Sequence, residues 1–210
     1  DIHAIIMPGL GTSTRTKSNA HKLALAYGVS VEEISINDSV LQHFKDIGHD
    51  ENDFSIVYEN AQARERTQIL MDLSNKHGSI VLGTGNMSEI ALGFATYNGD
   101  HISMYAINAG ICKTLLREVV RFVKDESTNP QISTPLADII DTPISPELLP
   151  TQDGKIAQKT EDNVGPYELH DFFIYHTIRN KSSFKDVLFM CQNAFQDKYS
   201  IEEIEKWYTI

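Results

Sequence analysis

The chain is short of the features that would place it in an oxidising compartment, in a membrane or along nucleic acid. Its two cysteines, Cys112 and Cys191, lie far apart and form no C-x-x-C pair, which excludes a disulfide framework and points to reduced thiols. No apolar run approaches the roughly 18 residues that span a bilayer. The N-terminal residues also lack the basic, apolar and small-residue succession of a signal peptide. The expected location is the cytoplasm, with no membrane partner. Basic residues are too few as well: 18 Lys and Arg against 29 Asp and Glu give a net charge of −11. Nucleic acid is thereby excluded as a general partner, because such a surface needs a basic excess to displace counterions. A phosphate-bearing small molecule stays open, since it needs only a local set of cations and backbone N–H groups. There is no internal repeat and no low-complexity tract.

What is present is ordinary soluble composition, 41% hydrophobic and 22% charged over 210 residues, enough for one sizeable domain or a domain with a helical extension. Asp1 leads straight into the apolar run Ile2 to Met7, so a piece of a longer polypeptide is expected. That run, ended by Pro8 and Gly9, suits a buried parallel strand. A helix over Thr16 to Tyr27 is predicted to end at Gly28, and a strand over Val31 to Ile36 follows. Helices over Asp38 to Ile47 and Tyr58 to His77 should close at Gly48 and Gly78, before a strand over Ser79 to Leu82. This alternation predicts an α/β fold with a parallel sheet flanked by helices. Thr114 to Lys124 reads as a helix, Asp125 to Pro135 as a mobile polar loop and Leu136 to Asp141 as a short helical turn. From Pro166 the pattern is all helix, with Phe172, Phe173 and Tyr175 read as core. The expected division is an α/β domain over 1–150 and a helical subdomain over 151–210.

The segment Gly83 to Lys113, GTGNMSEIALGFATYNGDHISMYAINAGICK, reads as a site. Glycines at 83, 85, 93, 99 and 110 interrupt any apolar period, and the segment follows the carboxyl end of a predicted strand, where open α/β sheets bind ligands. Within it, Glu89 near a helix start suits either Mg²⁺, which takes one or two carboxylates beside phosphate and water, or a dipole-favoured helix N-terminus. Upstream, Asn60, Arg64 and Thr67 fall on one helical stripe, either a solvated face or a surface for a ligand with planar amide or phosphate edges. PGLGTSTRTK, from Pro8 to Lys17, reads as a plain turn or as an anion site with Arg15 and Lys17 nearby. His49, Asp50 and Asp53, and His170 with Asp171, lack zinc spacing and read as structural or surface. Cys112 has no suggestive histidine and reads as a small buried thiol.

Taken together, MPGLGTSTRTKSNA, YENAQARERTQILMDLSNK, GTGNMSEIALGFATYNGD, NAGICKTLLR and QKTEDNVGPYELHDFF resemble the synthetase domain of NAD⁺ synthetases, nearest the long bacterial glutamine-dependent form. The resemblance implies the adenine nucleotide alpha hydrolase-like fold of the N-type ATP pyrophosphatases. It also implies amidation of deamido-NAD⁺ through an acyl adenylate, with Mg²⁺ as cofactor and ATP as co-substrate. Ammonia from a glutaminase domain and a second copy of the chain are the implied partners. Asn60, Arg64, Glu89, Phe94, Ala95, Thr96 and Tyr97 would then hold deamido-NAD⁺, while Met7, Thr84 and Lys113 would contact ATP. Glu89 would also take Mg²⁺, Lys113 would face the phosphates and Asp100 would orient or deprotonate ammonium.

The chain departs from that family pattern. It contains no S-G-G-x-D-S loop, no glutaminase domain and no basic segment after Trp207, and Asn86, Phe94 and Cys112 stand where Asp, Trp and Pro are usual. The lost loop is the main phosphate cradle, so the 210 residues alone are expected to turn over little. Two other classes remain in view. A dinucleotide-binding oxidoreductase would need a complete glycine fingerprint, of which Gly9, Gly11, Asn37 and Asp38 give only part. A non-catalytic dinucleotide-binding or dimerisation module would need neither ATP nor Mg²⁺.

Overall fold

The computed structural model describes residues 1–150 and 160–209. Strand β1 (His3–Ile6) pairs in parallel with β2 (Ser30–Glu33), in the register His3 to Ser30 through Ile6 to Glu33. Helix α1 (Thr14–Ala26) crosses between them. Ser13 caps it by accepting from the Thr16 N–H, and the chain leaves through Gly28 at φ 67°. Helices α2 (Asn37–Ile47) and α3 (Ile56–His77) follow; each ends on a left-handed glycine, Gly48 or Gly78, as the sequence predicts. A second parallel pair, β3 (Leu82–Gly83) with β4 (Tyr105–Ala106), brackets the short helix α4 (Met87–Leu92). Among the described residues the parallel strands thus form two separate two-stranded ladders.

Helices α5 (Lys113–Glu126) and α6 (Pro130–Ile140) come next. After residues 151–159 come α7 (Thr160–Val164), α8 (Tyr167–Ile174), a π-helical turn (Tyr175–Arg179), α9 (Phe184–Ala194) and α10 (Ile201–Tyr208). The predicted junction at residue 151 lies outside the described residues.

Four expectations need correction. The third strand starts at Leu82, not Ser79, because the Ser79 N–H turns back to the Ser74 carbonyl behind Gly78 and Ile80 stays exposed. The second strand stops at Glu33, although the Ile34 and Ile36 N–H groups continue to bond the Ile6 and Pro8 carbonyls. The predicted loop over Asp125 to Pro135 shrinks to Ser127 to Asn129. Asn129 caps α6 through the Gln131 N–H, and Pro130 sits in the first turn, where its missing N–H is no loss. Leu136 to Asp141 is therefore the end of an 11-residue helix. Finally, Phe173 is core but Tyr175 is half exposed at the π-helical turn.

Two apolar cores stabilise these elements. One joins Ile36, just before α2, and Val40 and Phe44 of α2 to Tyr58 and Ala61 of α3, with Met7, Leu10 and Leu149 packed against it. The other joins Leu169 and Phe173 of α8 to Val187 and Cys191 of α9 and Ile204 of α10. Burial pushes the Cys191 thiol up to about 11, so it stays protonated. Gly165, at φ 87°, lies against the indole of Trp207, and an added Cβ would sit 2.6 Å from Cε3. Gly165→Ala combines left-handed strain with overpacking and should destabilise by about 2 kcal/mol or more. An unchanged urea midpoint for that variant would contradict this packing.

Candidate functional site

The loop after β3 hands its chain to α4 through a capping box. Asn86 Oδ1 accepts from the Glu89 N–H at 3.1 Å, and Glu89 Oε2 accepts from the Asn86 N–H at 3.1 Å. Asn and Asp cap about equally well, which explains why Asn86 is tolerated there. The box fixes Glu89, whose other oxygen accepts from Lys113 Nζ at 2.6 Å, with both side chains largely shielded from water. Lys113 is the first residue of α5, and its Nζ also lies 5.5 Å from the centre of the Tyr167 ring.

The pair is held from behind by groups the sequence reading set aside. The buried carboxylate of Asp171 accepts from the Ser88 hydroxyl, from the Thr114 N–H at 2.8 Å and from the Thr114 hydroxyl at 2.6 Å. The Ser88 hydroxyl in turn accepts from the Lys113 N–H at 2.8 Å. Cys112, the residue before α5, offers no side-chain cap. Side chains of α4 and α8 therefore cap α5, with a carboxylate at its positive end. Neighbours on α4, Ser88 and Glu89, thus engage neighbours on α5, Lys113 and Thr114.

The Asn60 stripe meets the loop that follows α4. Thr96 Oγ1 donates to Asn60 Oδ1 at 2.9 Å, and Arg64 Nε donates to the Tyr97 carbonyl at 3.1 Å. The loop is braced by the Thr96 N–H donating to Asp100 Oδ1 at 2.7 Å and by Asn98 at φ 54°. Tyr97 is 74% exposed, so its ring is available to a partner. Ala95 is exposed and Phe94 half-buried. Thr67 does not complete the stripe, because its hydroxyl turns back to the Ala63 carbonyl.

A third group lines a groove of about 560 Å³ between the carboxyl ends of β1 and β3, where Met7, Thr84 and Asp100 meet. Arg66 reaches into it and donates from Nε to the Met7 carbonyl at 3.1 Å and from Nη2 to Thr12 Oγ1 at 3.4 Å. Burial lowers the Arg66 pKa, and among the described residues the guanidinium makes no ion pair. The cations expected at the Gly9 turn are engaged elsewhere. Arg15 pairs with Asp138 at 2.5 Å and Lys17 with Glu33 at 2.6 Å. Hydrogen bonds from Arg15 and Asn19 hold the Asp138 carboxyl at about 2.

The predicted residues thus fall into three adjoining groups: Asn60 and Arg64 with Thr96 and Tyr97; Glu89 with Lys113; and Met7 with Thr84 and Asp100. Asp100 links the first to the third, and the Phe94 N–H, bonded to the Glu89 carbonyl at 3.0 Å, links the first to the second. Among the described residues no hydrogen bond joins Glu89 to Asn60. Ser88, Asp171, Arg66 and Tyr167 were missed. Only Asp171 carried a signal, its place beside His170 between the apolar Leu169 and Phe172.

Three comparisons bear on this arrangement. The family model described as NAD synthase matches residues 1–209. A glutamine-dependent NAD(+) synthetase of Mycobacterium leprae is 39% identical over all of this chain and 34% of its own length. The chain spans about a third of the length of the curated relatives it matches. Among solved structures, the glutamine-dependent NAD⁺ synthetase of Acinetobacter baumannii in complex with ADP aligns over 99% of this chain and 34% of its own, with 25% identity and a TM-score of 0.60. That of Cytophaga hutchinsonii shares the fold at a TM-score of 0.70, with 21% identity over 97% of this chain and 31% of its own.

Proposed function

The chain belongs to the NAD synthase family, and from that premise we propose that it serves the ATP-dependent amidation of deamido-NAD⁺ to NAD⁺. A carboxylate resists ammonia because it is anionic and would have to expel oxide. Attack of the nicotinate oxygen on the α-phosphate of ATP forms the acyl adenylate and releases pyrophosphate. Ammonia then attacks the acyl carbon, loses a proton and displaces AMP. Such a reaction asks the protein for positioning and charge neutralisation rather than a covalent nucleophile.

The observation that carries this reading is the Glu89–Lys113 pair, set at the first turns of two helices, where helix dipoles favour anions. Lys113 presents an ammonium to the phosphates. Asn60, Arg64 and the loop Phe94, Ala95, Thr96 and Tyr97 grip the dinucleotide, the exposed Tyr97 ring offering a stacking face. Met7 and Thr84 border the groove proposed for the nucleotide, and the Acinetobacter baumannii relative, solved in complex with ADP, supports an adenine nucleotide as a ligand. Asp100, with one oxygen braced by the Thr96 N–H, keeps the other for ammonium.

Glu89 suits Mg²⁺ as a single protein carboxylate beside phosphate and water ligands. Its two oxygens are shared with Lys113 and Asn86, and among the described residues no grouping of three His, Cys, Asp or Glu competes for such an ion. An exposed stripe on α5, Leu115, Val119 and Phe122, supports pairing with a second copy of the chain. The 210 residues, lacking S-G-G-x-D-S, turn over little by themselves.

The test is an assay of the full natural polypeptide with deamido-NAD⁺, ATP and ammonium. NAD⁺ and AMP should appear in equal amounts, with little of either from the 210-residue chain. NAD⁺ without AMP, or no product at all from the full polypeptide, would defeat the reading.

A further inference from the structure

Tyr167, the first residue of α8, is 2% exposed, and its hydroxyl is buried without a hydrogen-bond partner among the described residues. Leaving such a group unpaired costs about 1–3 kcal/mol, and a native protein that retains one does so for a reason such as an ordered water, local strain or a ligand. Its backbone is anchored by the N–H donating to Glu161 Oε1 at 3.0 Å, and Lys113 Nζ lies 5.5 Å from the ring centre. Tyr167 and Lys113 line one cavity of about 830 Å³ together with Thr114, Arg117 and Asp171. Among the described residues its lining therefore includes an ammonium paired with Glu89 and a phenol hydroxyl without a hydrogen-bond partner.

Resting on the reading of Lys113 as a phosphate-facing residue, we propose that Tyr167 is a second ligand-binding group of that site. Its hydroxyl donates to an anionic oxygen of the nucleotide's phosphates, which enters as Lys113 turns from Glu89 toward the ligand. Burial and the nearby Glu89, Glu161 and Asp171 carboxylates push the phenol's pKa up, so it remains a donor at any pH the protein meets.

The experiment is Tyr167→Phe in the full natural polypeptide, which removes the hydroxyl and keeps the ring. ATP affinity is read by calorimetry with Mg²⁺ present, and the thermal midpoint without ligand. The ligand role requires affinity to fall about tenfold, on the order of 1.4 kcal/mol, while the ligand-free midpoint stays level or rises. Unchanged affinity in a protein that binds ATP overturns the proposal, and so does a lowered ligand-free midpoint, which would reveal a protein partner for the hydroxyl. If the unaltered protein binds no ATP, the amidation reading fails and this site falls with it. Lys113→Met, measured alongside, should weaken ATP binding to a similar or greater degree.

Discussion

Replacing Asp171 by alanine should destabilise the protein by about 4 kcal/mol and lower its thermal midpoint by about 10 °C. The carboxylate accepts from the Ser88 hydroxyl, the Thr114 N–H and the Thr114 hydroxyl. Asp171 is buried at 6% exposure, so water cannot readily replace it, and each deserted donor costs about 1–3 kcal/mol. The two hydroxyls recover part of this by rotating; the backbone N–H cannot. Asp171→Asn keeps one acceptor oxygen but turns an amide N–H₂ toward a donor, so it should fall between wild type and alanine. Urea titration of the three proteins gives the order, and a loss below about 1 kcal/mol for the alanine variant would show that α5 does not depend on this cap.

The second large effect concerns chemistry. In the full natural polypeptide, Lys113→Met should lower the rate of NAD⁺ formation by about 10²–10³-fold, the usual consequence of removing one preorganised charge from a transition state that spreads charge over phosphate oxygens. Methionine retains much of the aliphatic stem, so the fold should persist. A purely structural ion pair makes a different forecast: the loss of rate would follow a lowered ligand-free thermal midpoint, with ATP affinity unchanged in the folded protein. If Lys113 works on the phosphates, rate and ATP affinity fall together while the midpoint changes little. A slow variant with unchanged ATP affinity and a lowered midpoint would move Lys113 from the chemistry to the scaffold.

Helix ends were legible in the sequence wherever glycine marked them. Gly28, Gly48 and Gly78 carry the left-handed conformation that only glycine adopts cheaply. Parallel pairing was legible from the strand and helix alternation, but the extent of each strand was not. The start of the third strand is set by the partner at Tyr105 and Ala106, beyond the reach of local pattern. Pro130 and Pro135 misled in the other direction. They read as breakers, yet one sits in the first turn of α6 and the other is accommodated inside it.

At the site, residue types were readable and their company was not. Asn60, Arg64 and Glu89 read from pattern alone as either a site or a solvated face and helix start, and the role of Lys113 came with the resemblance, whereas the Asp171 cap joins residues 57 and 83 positions apart, beyond the reach of local pattern. Tyr167 looked like any aromatic at the head of a helix. Only the packing around it reveals a hydroxyl without a hydrogen-bond partner among the described residues.

The most direct measurement is calorimetric titration of deamido-NAD⁺ into the full natural polypeptide and its Asn60→Ala variant. A dinucleotide gripped between α3 and the Phe94 to Tyr97 loop should bind once per chain, and loss of the Asn60 amide should weaken it about tenfold or more with the thermal midpoint little changed. Equal affinity in the two proteins, or no heat of binding in either, would mean that this face of α3 holds no dinucleotide.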